Sequence, residues 1–162
     1  MPEYSAGILP FRFDYAKRLH VLIVHPGGPY WAKKDDGAWS IAKGEYQPGV
    51  EDPFRAAARE FTEELGREPP QGDPIALGEV RQAGGKRVSA WAIHGDVDAT
   101  VITSNSFEME WPPKSGRMRS FPEIDRALWC TLAEARRKLL TAQTPFLDRL
   151  AEELRRRARQ TE

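Results

Sequence analysis

Two short runs of strand-forming residues, Ser5 to Phe13 and Leu19 to Val24, flank the polar turn Asp14-Tyr15-Ala16-Lys17-Arg18 and predict a hairpin. A stretch rich in breakers, His25-Pro26-Gly27-Gly28-Pro29, leads into Tyr30-Trp31 and the charged Lys33-Lys34-Asp35-Asp36, after which Ala38 to Ala42 predicts a brief strand. Between Asp52 and Gly66 the pattern becomes helical. Asp52 suits the N-cap, Pro53 the first helical position and Gly66 the terminal left-handed position, while Phe54, Ala57, Ala58, Phe61 and Leu65 gather on one side. Ile75 to Arg81 and Arg87 to His94 predict two strands turned at Ala83-Gly84-Gly85. Phe107 to Trp111 and Ala127 to Thr131 predict two more. Thr131 and Glu134 have the spacing of a capping box, so a helix is expected from Leu132 to Leu140. Thr144-Pro145 opens a third helix with Phe146, Leu147, Leu150 and Leu154 along one side. Strands prevail in the first two-thirds and helices flank them, which predicts an α/β (α+β) class with a mixed sheet covered by helices on both faces.

A chain of 162 residues fits one domain, 1–162, with a C-terminal helix from about residue 145. Lys plus Arg and Asp plus Glu number 24 each, so the net field that draws a basic domain onto nucleic acid is missing and charge-based function has to come from local clusters. The arginines of the last helix, Arg149, Arg155, Arg156, Arg157 and Arg159, interleave with Glu152 and Glu153 and predict a solvated helix end. The longest apolar runs, such as Val21-Leu22-Ile23-Val24, fall short of the roughly 18–20 residues that cross a bilayer, and Met1 to Phe13 has no basic stretch leading into an apolar block. Cys130, the one cysteine, has no intrachain partner, and the expected location is the cytoplasm.

Chemistry concentrates on the helix after Asp52. Side chains turn by about 100° per residue, so Glu60, Glu63 and Glu64 share an arc of roughly 100° beside the apolar face. Glu63 and Glu64 stand in the last turn, where the helix dipole favours cations by about 0.3–1 kcal/mol per charge. Glu60 and Glu64 also repel as an i,i+4 pair, by about 0.2–0.5 kcal/mol. Local stability therefore argues against the arrangement, and a bound divalent cation reverses both signs, carboxylate oxygens being hard ligands suited to Mg²⁺ or Mn²⁺. The plain alternative is a solvated acidic face with Arg59 and Glu63 as a surface pair.

The surrounding residues sharpen the choice. Gly44-Glu45-Tyr46-Gln47-Pro48-Gly49-Val50-Glu51, seven further residues, then Arg59-Glu60-Phe61-Thr62-Glu63-Glu64-Leu65-Gly66 resemble the Nudix box, the loop-helix signature of the Nudix hydrolases. The second half matches through Gly66. Six residues separate Gly44 from Glu51 where the family has five, and Arg67 takes the place of a final aliphatic residue. The strand Ser5-Ala6-Gly7-Ile8-Leu9, the lead-in Trp39 to Gly44, and Trp129 before a helix extend the likeness over about 125 residues, although only the box is specific. The resemblance implies a Nudix fold, with the mixed sheet between helices. It also implies Mg²⁺- or Mn²⁺-dependent hydrolysis of a pyrophosphate bond in a nucleoside diphosphate linked to another moiety. Glu60, Glu63 and Glu64 would then be metal ligands, with Arg59 holding a box carboxylate and Glu51 supporting it.

A general base outside the box is often needed in that family. Glu108, Glu110, Glu123 and Asp125 are the candidates, with Glu110 preferred because Phe107-Glu108-Met109-Glu110-Trp111 suits the wall of a site. Lys43 beside the box is a candidate for substrate phosphate, and Trp39 or Trp31 for stacking on a base. The competing expectation is a catalytically silent Nudix-like module that binds nucleotide or RNA. The expected partner is a nucleotide-like diphosphate substrate, with no membrane and no strong nucleic-acid signal; which moiety follows the diphosphate is left open.

Overall fold

The apolar alternation of β1 (Tyr4–Phe13) sorts its side chains onto two faces, with Ala6 and Ile8 buried on one and Leu9 and Phe11 on the other. In β2 (Leu19–Pro26), Leu22 and Val24 join the first face, and Val21 and Ile23 the second. Strands buried on both sides need cover twice. In the computed structural model, which describes residues 3–161, α1 (Pro53–Leu65) covers the first face. Both α2 (Leu132–Lys138) and α3 (Pro145–Gln160) cover the second. The expected mixed sheet between helices is what forms.

Six strands make the sheet, in the order β4 (Ile75–Arg81), β5 (Arg87–His94), β1, β2 and β8 (Ile124–Thr131), with β3 (Ala42–Tyr46) added to β1. The β1–β5 pair is parallel; β2 and β3 are antiparallel to β1 and divide one of its edges, β3 taking Tyr4–Ile8 and β2 taking Phe11–Phe13. A separate antiparallel pair, β6 (Ser106–Glu110) and β7 (Met118–Pro122), stands off the main sheet. Its root is tied down by two backbone bonds, Glu123 N–H to the Asn105 carbonyl at 2.7 Å and Gly27 N–H to the Glu123 carbonyl at 2.8 Å.

Three elements depart from the sequence pattern. The strand expected over Ala38 to Ala42 lies at Ala42–Tyr46, and Trp39 and Ser40 make only isolated bridges. The cause is Gln143, a buried residue whose side chain accepts the Ile41 N–H at 2.9 Å and donates to Ser40 Oγ at 3.0 Å, so the backbone bond a ladder would use is taken by a side chain. The second helix stops at Lys138, because Leu139 turns extended and delivers the Leu140 N–H to the Trp39 carbonyl at 2.8 Å. The strand β7 was not foreseen, since Met118-Arg119-Ser120-Phe121-Pro122 is mostly exposed and has little apolar alternation.

Candidate active site

The ends of α1 are fixed by its sequence. The Asp52 side chain accepts the Arg55 N–H at 3.1 Å, and Gly66, at φ 69°, adopts the left-handed turn and donates to the Thr62 carbonyl at 2.7 Å. With Ala56, Ala57, Phe61 and Leu65 buried against the sheet, the rotation of the helix is set and Glu60, Glu63 and Glu64 fall beside β3 and solvent.

Arg59 organises the acids. Its guanidinium binds Glu51 in two-pronged fashion at 2.8 and 2.9 Å, and its Nη1 reaches Glu60 at 2.8 Å and Glu63 at 3.3 Å. Hydrogen bonding to Glu51 holds the arginine in its charged form, and the same bonds hold the Glu51 carboxyl below the ordinary range. Glu60 is mostly hidden from water, so burial pushes its carboxyl up and the Arg59 bond only partly offsets this.

Glu64 lies deeper. Burial pushes it up to about 8, with Lys43 pulling the other way and the Glu60 charge adding to the rise. Its Oε2 is buried and without a hydrogen-bond partner. An orphaned carboxylate oxygen is costly to keep, which fits a site that gains a positive partner on binding. Gly44, on β3, faces Glu60 closely, because a Cβ there would overlap that carboxylate. Lys43 is lowered by burial and supported by Glu64. These side chains and backbone leave hard oxygen donors in a half-dry setting, and they fit a divalent cation. The full three-ligand cage expected from the sequence is not preformed: among the described residues no three acidic, histidine or cysteine side chains gather closely enough to hold a metal. Glu63 is 43% exposed and is drawn toward Arg59.

Beside Glu64 and Lys43 is a pocket of about 260 Å³ that also touches Trp31, Ser40 and Glu123. It adjoins a larger cavity of about 480 Å³ through the shared residues Pro26, Trp31 and Glu123. Two sequence expectations need correction here. Glu110 lies on the exposed face of β6, because strand alternation sends Phe107 and Met109 into the cavity and Glu108 and Glu110 away from it. Glu123 is the acid that reaches the cleft, and its charge is felt at both Glu60 and Glu64. Trp39 is 3% exposed in the core, donates its indole N–H to Asp35 at 2.7 Å and packs on His25, so it has no free face for a base; Trp31 is 37% exposed, with the Lys34 ammonium 4.9 Å from its ring. Asp125 is likewise engaged, 2.8 Å from His25 Nδ1.

The sequence profile of the NUDIX domain matches residues 1–152. The chain belongs to the Nudix family. It is a Nudix pyrophosphohydrolase by that membership and by its intact Arg59-Glu60 and Glu63-Glu64 set. Among solved structures it is similar to a Caenorhabditis elegans Ap4A hydrolase in a binary complex, with 20% identity, 94% of this chain and 97% of that chain covered, and a TM-score of 0.63. It is also similar to the NUDIX domain of Shewanella oneidensis NrtR complexed with ADP ribose, with 14% identity, 95% and 89% covered, and a TM-score of 0.62. A mutT/nudix family protein from Listeria innocua has 13% identity, 97% of both chains covered and a TM-score of 0.62. At these identities the likeness is one of fold. No curated protein sequence matches the chain significantly.

The two departures from the Nudix box have local explanations. The extra residue after Gly44 is absorbed at Gln47-Pro48-Gly49-Val50, where the Val50 and Glu51 N–H groups both reach the Gln47 carbonyl at 3.1 and 3.2 Å; Gly44 still meets Glu60. Arg67 does not pack as the aliphatic residue would, and instead donates to the Val101 carbonyl at 2.7 Å, pinning the helix exit.

Proposed function

We propose that the protein hydrolyses a pyrophosphate bond in a nucleoside diphosphate linked to another moiety, using Mg²⁺ or Mn²⁺. The observation that carries this reading is Glu64, a buried box carboxyl with an orphaned oxygen that feels the charges of Glu60 and Lys43. Glu60, Glu63 and Glu64 are the residues that would hold the cation. When bound, such an ion screens phosphate charge and lowers the pKa of an attacking water. Arg59 keeps Glu60 and Glu63 anchored to Glu51, so that charge in the cleft is held in place before substrate arrives. Lys43, which lines the same pocket as Glu64, would meet substrate phosphate, and Glu123, also on that pocket, would serve as the general base in place of Glu110. No helix among the described residues is long and apolar enough to cross a membrane. A cytoplasmic location is part of this reading, on the single cysteine, Cys130, a buried free thiol.

The intact acid set favours this reading over a silent binding module. A panel of nucleoside triphosphates, dinucleoside polyphosphates, nucleotide sugars and capped RNA, offered with Mg²⁺ or Mn²⁺ in ¹⁸O-water, tests it. The expected result is turnover of at least one class, with the heavy oxygen in a phosphate product and loss of activity on chelation. Nucleotide binding without turnover in either metal would overturn the hydrolase in favour of the module.

A further inference from the structure

The larger cavity has Gly28, Tyr30 and Trp31 on one side and Phe107 and Met109 on the other. The Phe107 ring sits so close over Gly28 that a Cβ there would crowd it. Alternation along β6 places Phe107, Met109 and Trp111 on the same face, and the cross-strand register sets Phe121 opposite Phe107 and Arg119 opposite Met109. One rung further, the Trp111 N–H donates to the Arg117 carbonyl at 2.9 Å, which places Arg117 opposite Trp111. The cavity-facing side of the hairpin is therefore a ladder of aromatic and sulfur groups interleaved with two arginines. The loop closes on it, with Tyr30 meeting Trp111 edge-on at 5.3 Å. The opposite side carries Glu108, Glu110, Met118 and Ser120.

Most arginines elsewhere find carboxylates, as Arg136 does with Asp148 at 2.6 Å and Arg156 with Glu153, while Arg67 and Arg149 are taken up by backbone carbonyls. Among the described residues neither Arg117 nor Arg119 has a carboxylate within ion-pair distance, although Arg119 lies 5.6 Å over the Phe121 ring. Unpaired guanidiniums on an aromatic surface suit one chemistry above others, a flat base attached to phosphate: rings stack on the base, and the planar fork binds phosphate oxygens in pairs.

Resting on the hydrolase reading above, we infer that the β6–β7 hairpin is the specificity-determining arm of the site, with Phe107 and Trp31 receiving the aromatic base of a nucleotide substrate and Arg119, with Arg117, binding its phosphate. The base is thereby held in the larger cavity while the scissile diphosphate lies toward Lys43 and Glu64. The same chemistry is offered by the base of a nucleoside triphosphate and by the second nucleoside of a dinucleoside polyphosphate.

The test pairs calorimetric binding of ATP and of diadenosine tetraphosphate in EDTA with steady-state hydrolysis in Mg²⁺. Phe107→Ala and Arg119→Gln should each weaken binding about tenfold and raise KM to match. Met118→Ser, on the other side of the hairpin, should leave both at wild-type values. Losses for both ligands assign the arm to the sole base of a triphosphate, and losses confined to the tetraphosphate assign it to the second nucleoside. Arg119 is exposed, so its variant reports on the surface even if Phe107→Ala fails to fold. Unchanged binding of both ligands to Arg119→Gln, or no binding to the wild type, overturns the inference. Metal-free binding that depends on the hairpin, without turnover in any metal, removes the hydrolase reading and leaves the arm standing.

Discussion

At one end of the cleft, Glu51, Arg59, Glu60, Glu63 and Glu64 belong to one helix and its entrance, and four hydrogen bonds from the Arg59 guanidinium join Glu51, Glu60 and Glu63. At the other end, the loop holding Gly28, Tyr30 and Trp31 meets Phe107 and Met109 only after the chain between them has supplied three of the sheet's six strands. The first end is charged, half-dry and held by a helix; the second is apolar, open and held by packing between a loop and the strand pair that stands off the main sheet. Groups that polarise a phosphate gain from a fixed geometry, which a capped helix supplies, whereas selection among substrates is a matter of surface that loops can vary. Chemistry and recognition are thus separable in this chain, and experiments can pull them apart.

The largest effect should come from the charged end. Glu64→Gln is expected to lower kcat by about 10³-fold or more while leaving metal-free nucleotide binding intact, as read by steady-state kinetics beside calorimetry. Loss of binding to the same degree as turnover would erase the distinction between the two ends. An intermediate effect is expected where the ends meet. Glu123→Gln should reduce turnover on the order of 10²-fold, and Glu110→Gln, on the outer face of β6, should change it by less than about twofold. The reverse ranking would return Glu110 to the site and take Glu123 out of it.

The smallest effect is one of stability. Burial raises Glu64 to about 8 from an ordinary value of 4.5, so the folded protein holds a proton that the unfolded chain has released. The sign follows: the stabilisation is full below about pH 4.5 and is lost as pH climbs toward 8 and beyond. In EDTA the melting temperature of the wild type should therefore fall between pH 5 and pH 9, by roughly 5 °C more than that of Glu64→Gln. Added Mg²⁺ should flatten the difference, since a cation favours the ionised carboxylate. Equal slopes for the two proteins would mean that Glu64 is already solvated and ionised, and that the charged end is no drier than the aromatic one.

The charged end was legible because helix geometry is local. Asp52, Pro53 and Gly66 mark the boundaries, a turn of about 100° per residue fixes which side chains share a face, and both survive in the fold. The hairpins β1–β2 and β4–β5 and the capping box at Thr131 were legible for the same reason, each being set by neighbours in sequence. What failed was long range. Nothing near Ile41 shows that Gln143 will take its N–H, so the strand there was placed four residues early. The Phe107-x-Met109-x-Trp111 alternation was visible, but which of its two faces meets the cleft depends on β7 and the loop after β2.

Sequence alone determined the acid helix, its caps, its arginine and the sheet-between-helices class, because hydrogen bonds and side-chain spacing within one element need no distant partner. Tertiary structure alone decided that Glu64 is buried with an orphaned oxygen, that Glu123 and not Glu110 enters the cleft, that Trp39 is core while Trp31 is available, and that two arginines stand unpaired on an aromatic face. Burial and free valence are properties of what packs around a residue, and the packing partners here come from segments far apart in the chain.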